Sequence, residues 1–308
     1  MGPIVVKFGG SSLATAGQFE KVADIIHKNP ARRYVVASAP GKRCPEDTKV
    51  TDLLYRCYDA ACAGKDFMPA LTQIQQRFEY IIAQLQLQID LSDDLETIAA
   101  HLSAAPQRDY MASRGEYLNS KLLAAYLGVP FVDAAQIVLF RADGMLDVES
   151  TNKAIGNTLQ NVDRAVIPGF YGAMPDGTIC TFSRGGSDVT GSIVARAVGA
   201  ALYENWTDVS GVLAADPRIV ENPRMIDYIT YRELRELSYM GASVLHEDAV
   251  FPVRQANIPI NIRNTNCPTD PGTFIVPTLP ATAHKRKITG VAGRKGFSSI
   301  YVEKSMMN

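Results

Sequence analysis

The apolar positions of the chain fall into short runs that alternate with helix-period patterns. Ile4–Phe8 (IVVKF) and Tyr34–Ala39 (YVVASA) are brief, β-branched and bounded by Gly or Pro, as buried parallel strands are. Between them Phe19, Val22, Ala23 and Ile26 share one face of a helix predicted over Ala16–His27, which completes a βαβ unit. Helical spacing then dominates. Leu71, Ile74, Phe78, Ile81, Leu85 and Ile89 form one stripe, and Leu95, Ile98 and Leu102 form another. A further helix is predicted over Glu116–Leu127, stopped by Gly128 and Pro130. A helix-rich insertion, about Thr51–Leu127, therefore interrupts the α/β pattern.

Strands are predicted to resume near Phe131, at Ile137–Phe140 and at Ala165–Gly169. A helix follows over Asp188–Tyr203, then strands at Trp206–Val209, Ile258–Ile262 and Thr273–Val276. Beyond Pro277 the stretch PTLPATAHKRK is polar and basic, as a linker would be. The stretch ITGVAGRKGFSSIYVEK reads as the first strand of another unit, with too few residues after it to bury a core.

Composition narrows the function classes. The chain has 308 residues, so the prior is two domains or one large α/β domain. Lys+Arg number 31 and Asp+Glu 32, a net charge of −1 that gives no electrostatic case for a dedicated nucleic-acid or anionic-membrane binder. The cysteines Cys44, Cys57, Cys62, Cys180 and Cys267 are odd in number and include no CxxC pair, which argues against a disulfide scaffold or zinc ribbon. No run is long and apolar enough to span a bilayer, and the N-terminus lacks a secretory pattern. The expectation is a cytoplasmic enzyme.

Glycine-rich or charged residues follow several of the strand candidates, where open α/β sheets bind ligands. In Lys7-Phe8-Gly9-Gly10-Ser11-Ser12 the glycines let backbone N–H groups approach a phosphate, with the Lys7 charge beside them. The alternative is a tight turn with a solvated lysine. In Ser183-Arg184-Gly185-Gly186-Ser187-Asp188, Arg184 offers a fork for a carboxylate; Asp188 could simply cap the helix that follows. Trp206-Thr207-Asp208 with Asp216-Pro217-Arg218 could meet a phosphate or merely make turns. In Ser113-Arg114-Gly115-Glu116, Glu116 reads either as a helix N-terminal carboxylate or as the holder of a substrate ammonium. Walker A, GxGxxG, GxSxG and HExxH patterns are all missing, and no histidine has metal-ligand spacing.

Taken together and in this order, KFGGSS, SRGE, SRGGSD and WTDVSG…ADPR closely resemble the aspartate kinases of the amino-acid kinase superfamily. VVASAPGKR and GASVLH add to the resemblance, which covers essentially the whole chain. It implies ATP-dependent phosphorylation of the β-carboxylate of L-aspartate, on the route to lysine, threonine and methionine. It also implies an α/β fold: a three-layer αβα sandwich with a mostly parallel central sheet. By the same resemblance, Lys7, Gly9 and Gly10 meet the ATP phosphates, and Thr207, Asp208, Leu213, Asp216 and Arg218 line the nucleotide site. Ser38, Thr51, Glu116 and Arg184 hold aspartate, with Gly185, Gly186 and Ser187 beside it, and Asp188 organises Lys7. The helical insertion is expected to cover the aspartate side and to act as a lid.

An aspartate side chain is already anionic at neutral pH, so no general base is required. Mg²⁺ is expected to be carried by the nucleotide and water, since the sequence offers no carboxylate cage. Three departures from the family pattern stand out. Ser243 occupies a position where many members have lysine, Leu213 one where several have tyrosine. ITGVAGRKGF resembles the opening of an ACT-type regulatory domain. The expected organisation is a catalytic domain over 1–280, then over 281–308 a linker and the first strand of a truncated regulatory domain. Feedback inhibition by lysine or threonine is accordingly expected to be absent or greatly weakened, and any homodimer weakened. Two other readings compete: a kinase for another acid or carbamate, and a weakly catalytic nucleotide- or amino-acid-binding module.

Overall fold

The computed structural model describes residues 2–183, 185–239, 245, 247–283, 286–293 and 296. Nine strands are described: β1 (Ile4–Phe8), β2 (Arg32–Ala37), β3 (Ala165–Pro168), β4 (Tyr171–Ala173), β5 (Ile179–Thr181), β6 (Leu202–Thr207), β7 (Tyr228–Thr230), β8 (Ile260–Asn264) and β9 (Thr273–Val276). The helices are α1 (Ala16–His27), α2 (Val50–Cys62), α3 (Met68–Gln84), α4 (Ser92–Ala104), α5 (Arg108–Leu127), α6 (Ala134–Ile137), α7 (Val148–Leu159), α8 (Gly186–Ala197), α9 (Tyr231–Tyr239) and α10 (Glu247–Gln255). The main sheet has the order β3-β2-β1-β6-β8-β9-β7. All its neighbours are parallel except β8 and β9, while β4 and β5 form a separate antiparallel pair.

Strand side chains alternate between two cores, which gives the expected three layers. Val5, Tyr34, Val36 and Tyr203 pack with residues of α7, α8 and α10 on one face. Val6, Phe8, Val35, Ala37 and Trp206 pack with residues of α1 to α5 on the other. By the same alternation Lys7 and Asn205, opposite each other in the β1–β6 register, face the α8 side. Among the described residues no helix is long and apolar enough to cross a membrane.

Some expected elements differ. The helix predicted to begin at Glu116 begins at Arg108. Its residues Tyr110–Glu116 are all buried, so no one-sided apolar stripe announces it. Glu116 is consequently a mid-helix residue and not a helix N-terminal carboxylate. The helix predicted over Asp188–Tyr203 stops at Ala197, where Gly199 takes a left-handed conformation (φ 58°), and Leu202 already belongs to β6. Of the strand predicted over Ile137–Phe140, Ile137 ends α6, which the Asp133 side chain caps by accepting from the Ala135 N–H at 3.0 Å, and Leu139 and Phe140 form only isolated bridges, to Ala173 and Leu146. Near Phe131 only a single bridge to Val166 forms.

Candidate active site

β1 and β6 carry the charged centre of the site. Lys7 is buried, and its Nζ lies 2.6 Å from Asp188 Oδ1. The solvated-lysine alternative is thereby excluded. Asn205 Nδ2 donates to the same carboxylate oxygen at 2.8 Å, and the Tyr203 hydroxyl donates to the Asp188 backbone carbonyl at 3.2 Å. Asp188 is therefore no cap. Gly185, left-handed at φ 57°, fills that position, and Asp188 sits in the first turn of α8 with its charge aimed at β1. A Cβ on Gly191 would stand 2.6 Å from the Tyr203 hydroxyl, so glycine there lets α8 sit close on β6. Asn205 was not foreseen; its signal is a polar residue between buried neighbours of a strand.

A cleft of about 730 Å³ opens beside this pair. Its lining includes Lys7, Asp188, Thr207, Asp208, Leu213, Asp216 and Arg218, so most of the expected nucleotide residues converge here. Gly9 adjoins it, since a Cβ there would lie 3.5 Å from Lys7 Nζ. Gly10 begins a short 3₁₀ turn, Gly10–Leu13, and is pressed so closely on the next loop that a Cβ would stand 2.8 Å from the Ala39 carbonyl. Arg218 is turned onto Asp216 at 2.6 Å with 86% of its side chain exposed. The guanidinium hydrogen bonds hold the Asp216 carboxyl down to about 2. Asn264, Met225, Leu237 and residues 291–293 also line the cleft and were not foreseen.

The second half of the site lies where β2, α2 and α5 meet. Ser38 follows β2: its N–H bonds the Phe8 carbonyl at 3.2 Å, and its carbonyl accepts from Asn119 Nδ2 at 2.7 Å. Thr51 stands in the first turn of α2. Gly115 is wedged against Ala39 and Leu54, where a Cβ would be 2.8 and 3.4 Å away, which draws α5 onto the β2 loop and α2. Glu116 is buried there, and burial pushes its carboxyl up to about 8, against the hydrogen bond from the Ala39 backbone and the nearby charge of Arg114. Among the described residues its Oε2 has no hydrogen-bond partner, nor do Asn119 Oδ1 and Ser120 Oγ, which lie on the same helix face. Ser187 packs against Gly169 at the end of β3, where a Cβ would stand 2.6 Å from its side chain; Gly186 packs against Phe170. Arg184 and Ser243 lie outside the described residues, so the structure does not place either.

Neighbouring Arg114 is buried and faces the rings of Tyr110, Tyr117 and Tyr171 at 4.5, 4.4 and 5.4 Å. It gives this wall a fixed cation without a carboxylate partner among the described residues. No group of three or more His, Cys, Asp or Glu is arranged for a metal ion among the described residues.

The model of the amino acid kinase family matches residues 2–264. Aspartokinase 3 of Bacillus subtilis is 42% identical, over 99% of this chain and 70% of its own length. The chain belongs to the amino acid kinase family and, within it, to the aspartokinases. Solved aspartokinase structures agree. The aspartate kinase of Clostridium acetobutylicum is 49% identical with a TM-score of 0.88, over 95% of this chain and 66% of its own. Aspartokinase III of E. coli, solved with aspartate and ADP, is 25% identical with a TM-score of 0.78, over 91% of this chain and 65% of its own. The chain thus spans about two thirds of the length of these aspartokinases.

Proposed function

We propose that the chain phosphorylates the β-carboxylate of L-aspartate from ATP, giving 4-phospho-L-aspartate. The observation that carries this reading is the convergence of the buried Lys7–Asp188 pair with Thr207, Asp208, Asp216 and Arg218 on one open charged cleft, together with a buried Glu116 oxygen that has no hydrogen-bond partner among the described residues. The cleft takes the nucleotide. Lys7, held by Asp188 and by Asn205 behind it, presents its ammonium to the transferring phosphoryl group, with the Gly9–Gly10 backbone alongside. Phosphoryl transfer chiefly requires alignment and stabilised charge, which this arrangement supplies.

The acceptor side takes aspartate. Its ammonium is the natural partner for Glu116 Oε2, an atom that has none among the described residues. Ser38, Thr51 and Ser187 are assigned to the same substrate, and Arg184 takes a substrate carboxylate. The attacking carboxylate needs no proton removed, and the site has no evident base. The carboxylates of Asp188 and Asp208 at the cleft suit a hard cation that keeps most of its water, not a protein cage. Mg²⁺ bound with ATP would neutralise the charge of its phosphates. We also assign residues 1–280 to the catalytic domain and 281–308 to a linker and the start of a regulatory unit, in a cytoplasmic protein.

The test is acyl phosphate trapping by hydroxylamine with L-aspartate, L-glutamate, N-acetylglutamate or no acceptor. Hydroxamate formed with aspartate alone is the expected outcome. Hydroxamate with another acid, or ATP binding without any hydroxamate, would sink the reading.

A further inference from the structure

The segment after the last strand does more than leave the sheet. Residues 291–293 line the charged cleft together with Leu213. They are brought there by a series of bonds. Val212–Ala214 and Arg224–Ile226 run antiparallel, with Ala214 N–H to the Arg224 carbonyl at 2.9 Å and Ile226 N–H to the Val212 carbonyl at 2.8 Å. Val291 N–H adds a rung, donating to the Ala214 carbonyl at 2.7 Å. Arg224 Nη2 donates to the carbonyls of Thr289 at 2.8 Å and Ile288 at 3.3 Å.

The other fastening is the cap of α9. Glu233 N–H bonds the Thr230 hydroxyl at 3.2 Å, and the Glu233 carboxylate accepts from the Thr230 N–H at 2.8 Å, a reciprocal capping box. The second oxygen of that carboxylate accepts from the Thr289 hydroxyl at 2.5 Å. At Gly290 the segment lies flat on this support: a Cβ there would be 3.2 Å from the Ala214 carbonyl and 3.3 Å from Leu237. The product of these bonds is an apolar wall. Val291 is 66% exposed and Leu213 39%, both on the cleft. Two exposed apolar side chains side by side on one wall of a charged cleft fit a flat face of a heteroaromatic base.

We propose that Arg224 and Thr289 are positioning residues for the nucleotide, holding residues 288–291 as a strap whose Val291 packs against the base beside Leu213. This rests on the reading of the cleft as the nucleotide site. The strap is local to the base end; it touches neither the Lys7–Asp188 pair nor the Glu116 pocket. Its loss should therefore weaken ATP and ADP equally and leave aspartate alone.

The experiment uses the full chain and two readouts: ADP affinity by calorimetry, and the separate KM values for ATP and aspartate. Arg224→Met, Thr289→Val and Val291→Asp are each expected to weaken ADP and raise the KM for ATP roughly three- to tenfold. KM for aspartate and kcat should stay within about twofold, and Arg224→Lys should restore most of the ADP affinity, since an ammonium can still donate to both carbonyls. Val291→Asp alters an exposed side chain, so its melting temperature should match the parent and separate nucleotide contact from folding. Unchanged ADP affinity in Val291→Asp, or equal loss of aspartate and ATP use in Arg224→Met, would overturn the proposal. A parent chain that binds ADP but makes no aspartyl hydroxamate would refute the acceptor reading and leave the strap standing on the calorimetry. A parent that binds no ADP would refute both.

Discussion

Asp188, in the first turn of α8, and Glu116, in the middle of α5, are two carboxyl groups that the fold surrounds in opposite ways. Asp188 accepts from Lys7 and Asn205 on a single oxygen and opens on solvent in the cleft. Glu116 is buried with one oxygen unpartnered, and burial raises its carboxyl to about 8. The first arrangement suits a group that stays charged and holds a cation in place throughout turnover. The second suits a group that awaits a partner. A buried carboxyl without one is costly when ionised, and a ligand ammonium removes that cost on arrival. In the proposed function the phosphate side is thus wired in advance, whereas the acceptor side is completed by its substrate.

Breaking the wired side should have the largest effect. Lys7→Ala is expected to lower kcat by at least about 10³-fold while the far-ultraviolet circular dichroism remains native. Retained turnover within tenfold would remove Lys7 from the chemistry. On the acceptor side, Glu116→Gln copies the protonated form and keeps the packing. It should raise the KM for aspartate about 10²-fold with the KM for ATP nearly unchanged; a matching loss for ATP would erase the division between the two sides.

The contrast also predicts a pH dependence. Glu116 has a folded-state value near 8 against 4.5 for an exposed glutamate. The folded chain therefore holds a proton that the unfolded chain has lost between those values. The contribution of this group to stability is full below about 4.5 and is lost as the pH rises through about 8, on the order of several kcal/mol. Denaturant titrations of the free chain should show that slope, and Glu116→Gln should lack it. Identical slopes in the two proteins would mean that Glu116 is ionised in the free state.

Smaller effects sharpen the picture. Asn205→Ala removes one donor from Asp188 and should cost about tenfold in kcat. Arg218→Ala, at an exposed and solvent-screened pair, should leave the melting temperature essentially unchanged.

The two sides were also unequally legible in the sequence. The phosphate side is written locally. Lys7 lies in a short apolar strand that runs into Gly9-Gly10, and strand alternation turns it to the side where Asp188 follows a glycine pair at a helix start. Asn205 escaped because the strand was expected to begin at Trp206; β6 actually starts at Leu202, once Gly199 has ended α8. The acceptor side depends on packing between distant segments. Nothing near Glu116 announces that Gly115 will be clamped by Ala39 and Leu54, or that α5 will be enclosed on nearly every side. Periodicity finds helices with one wet face, such as α1, and fails on a helix without one. The segment at 288–291 was readable only as the opening of a further strand, because its bonds run to Ala214, Arg224 and Glu233, far away in the chain.

The most direct measurement is the proton balance of aspartate binding, by calorimetry at pH 7 in buffers of different ionisation enthalpy. If Glu116 is held protonated until the substrate ammonium arrives, binding should release close to one proton in the parent chain and almost none in Glu116→Gln. Binding of aspartate without proton release, or with the same release in both proteins, would contradict the account.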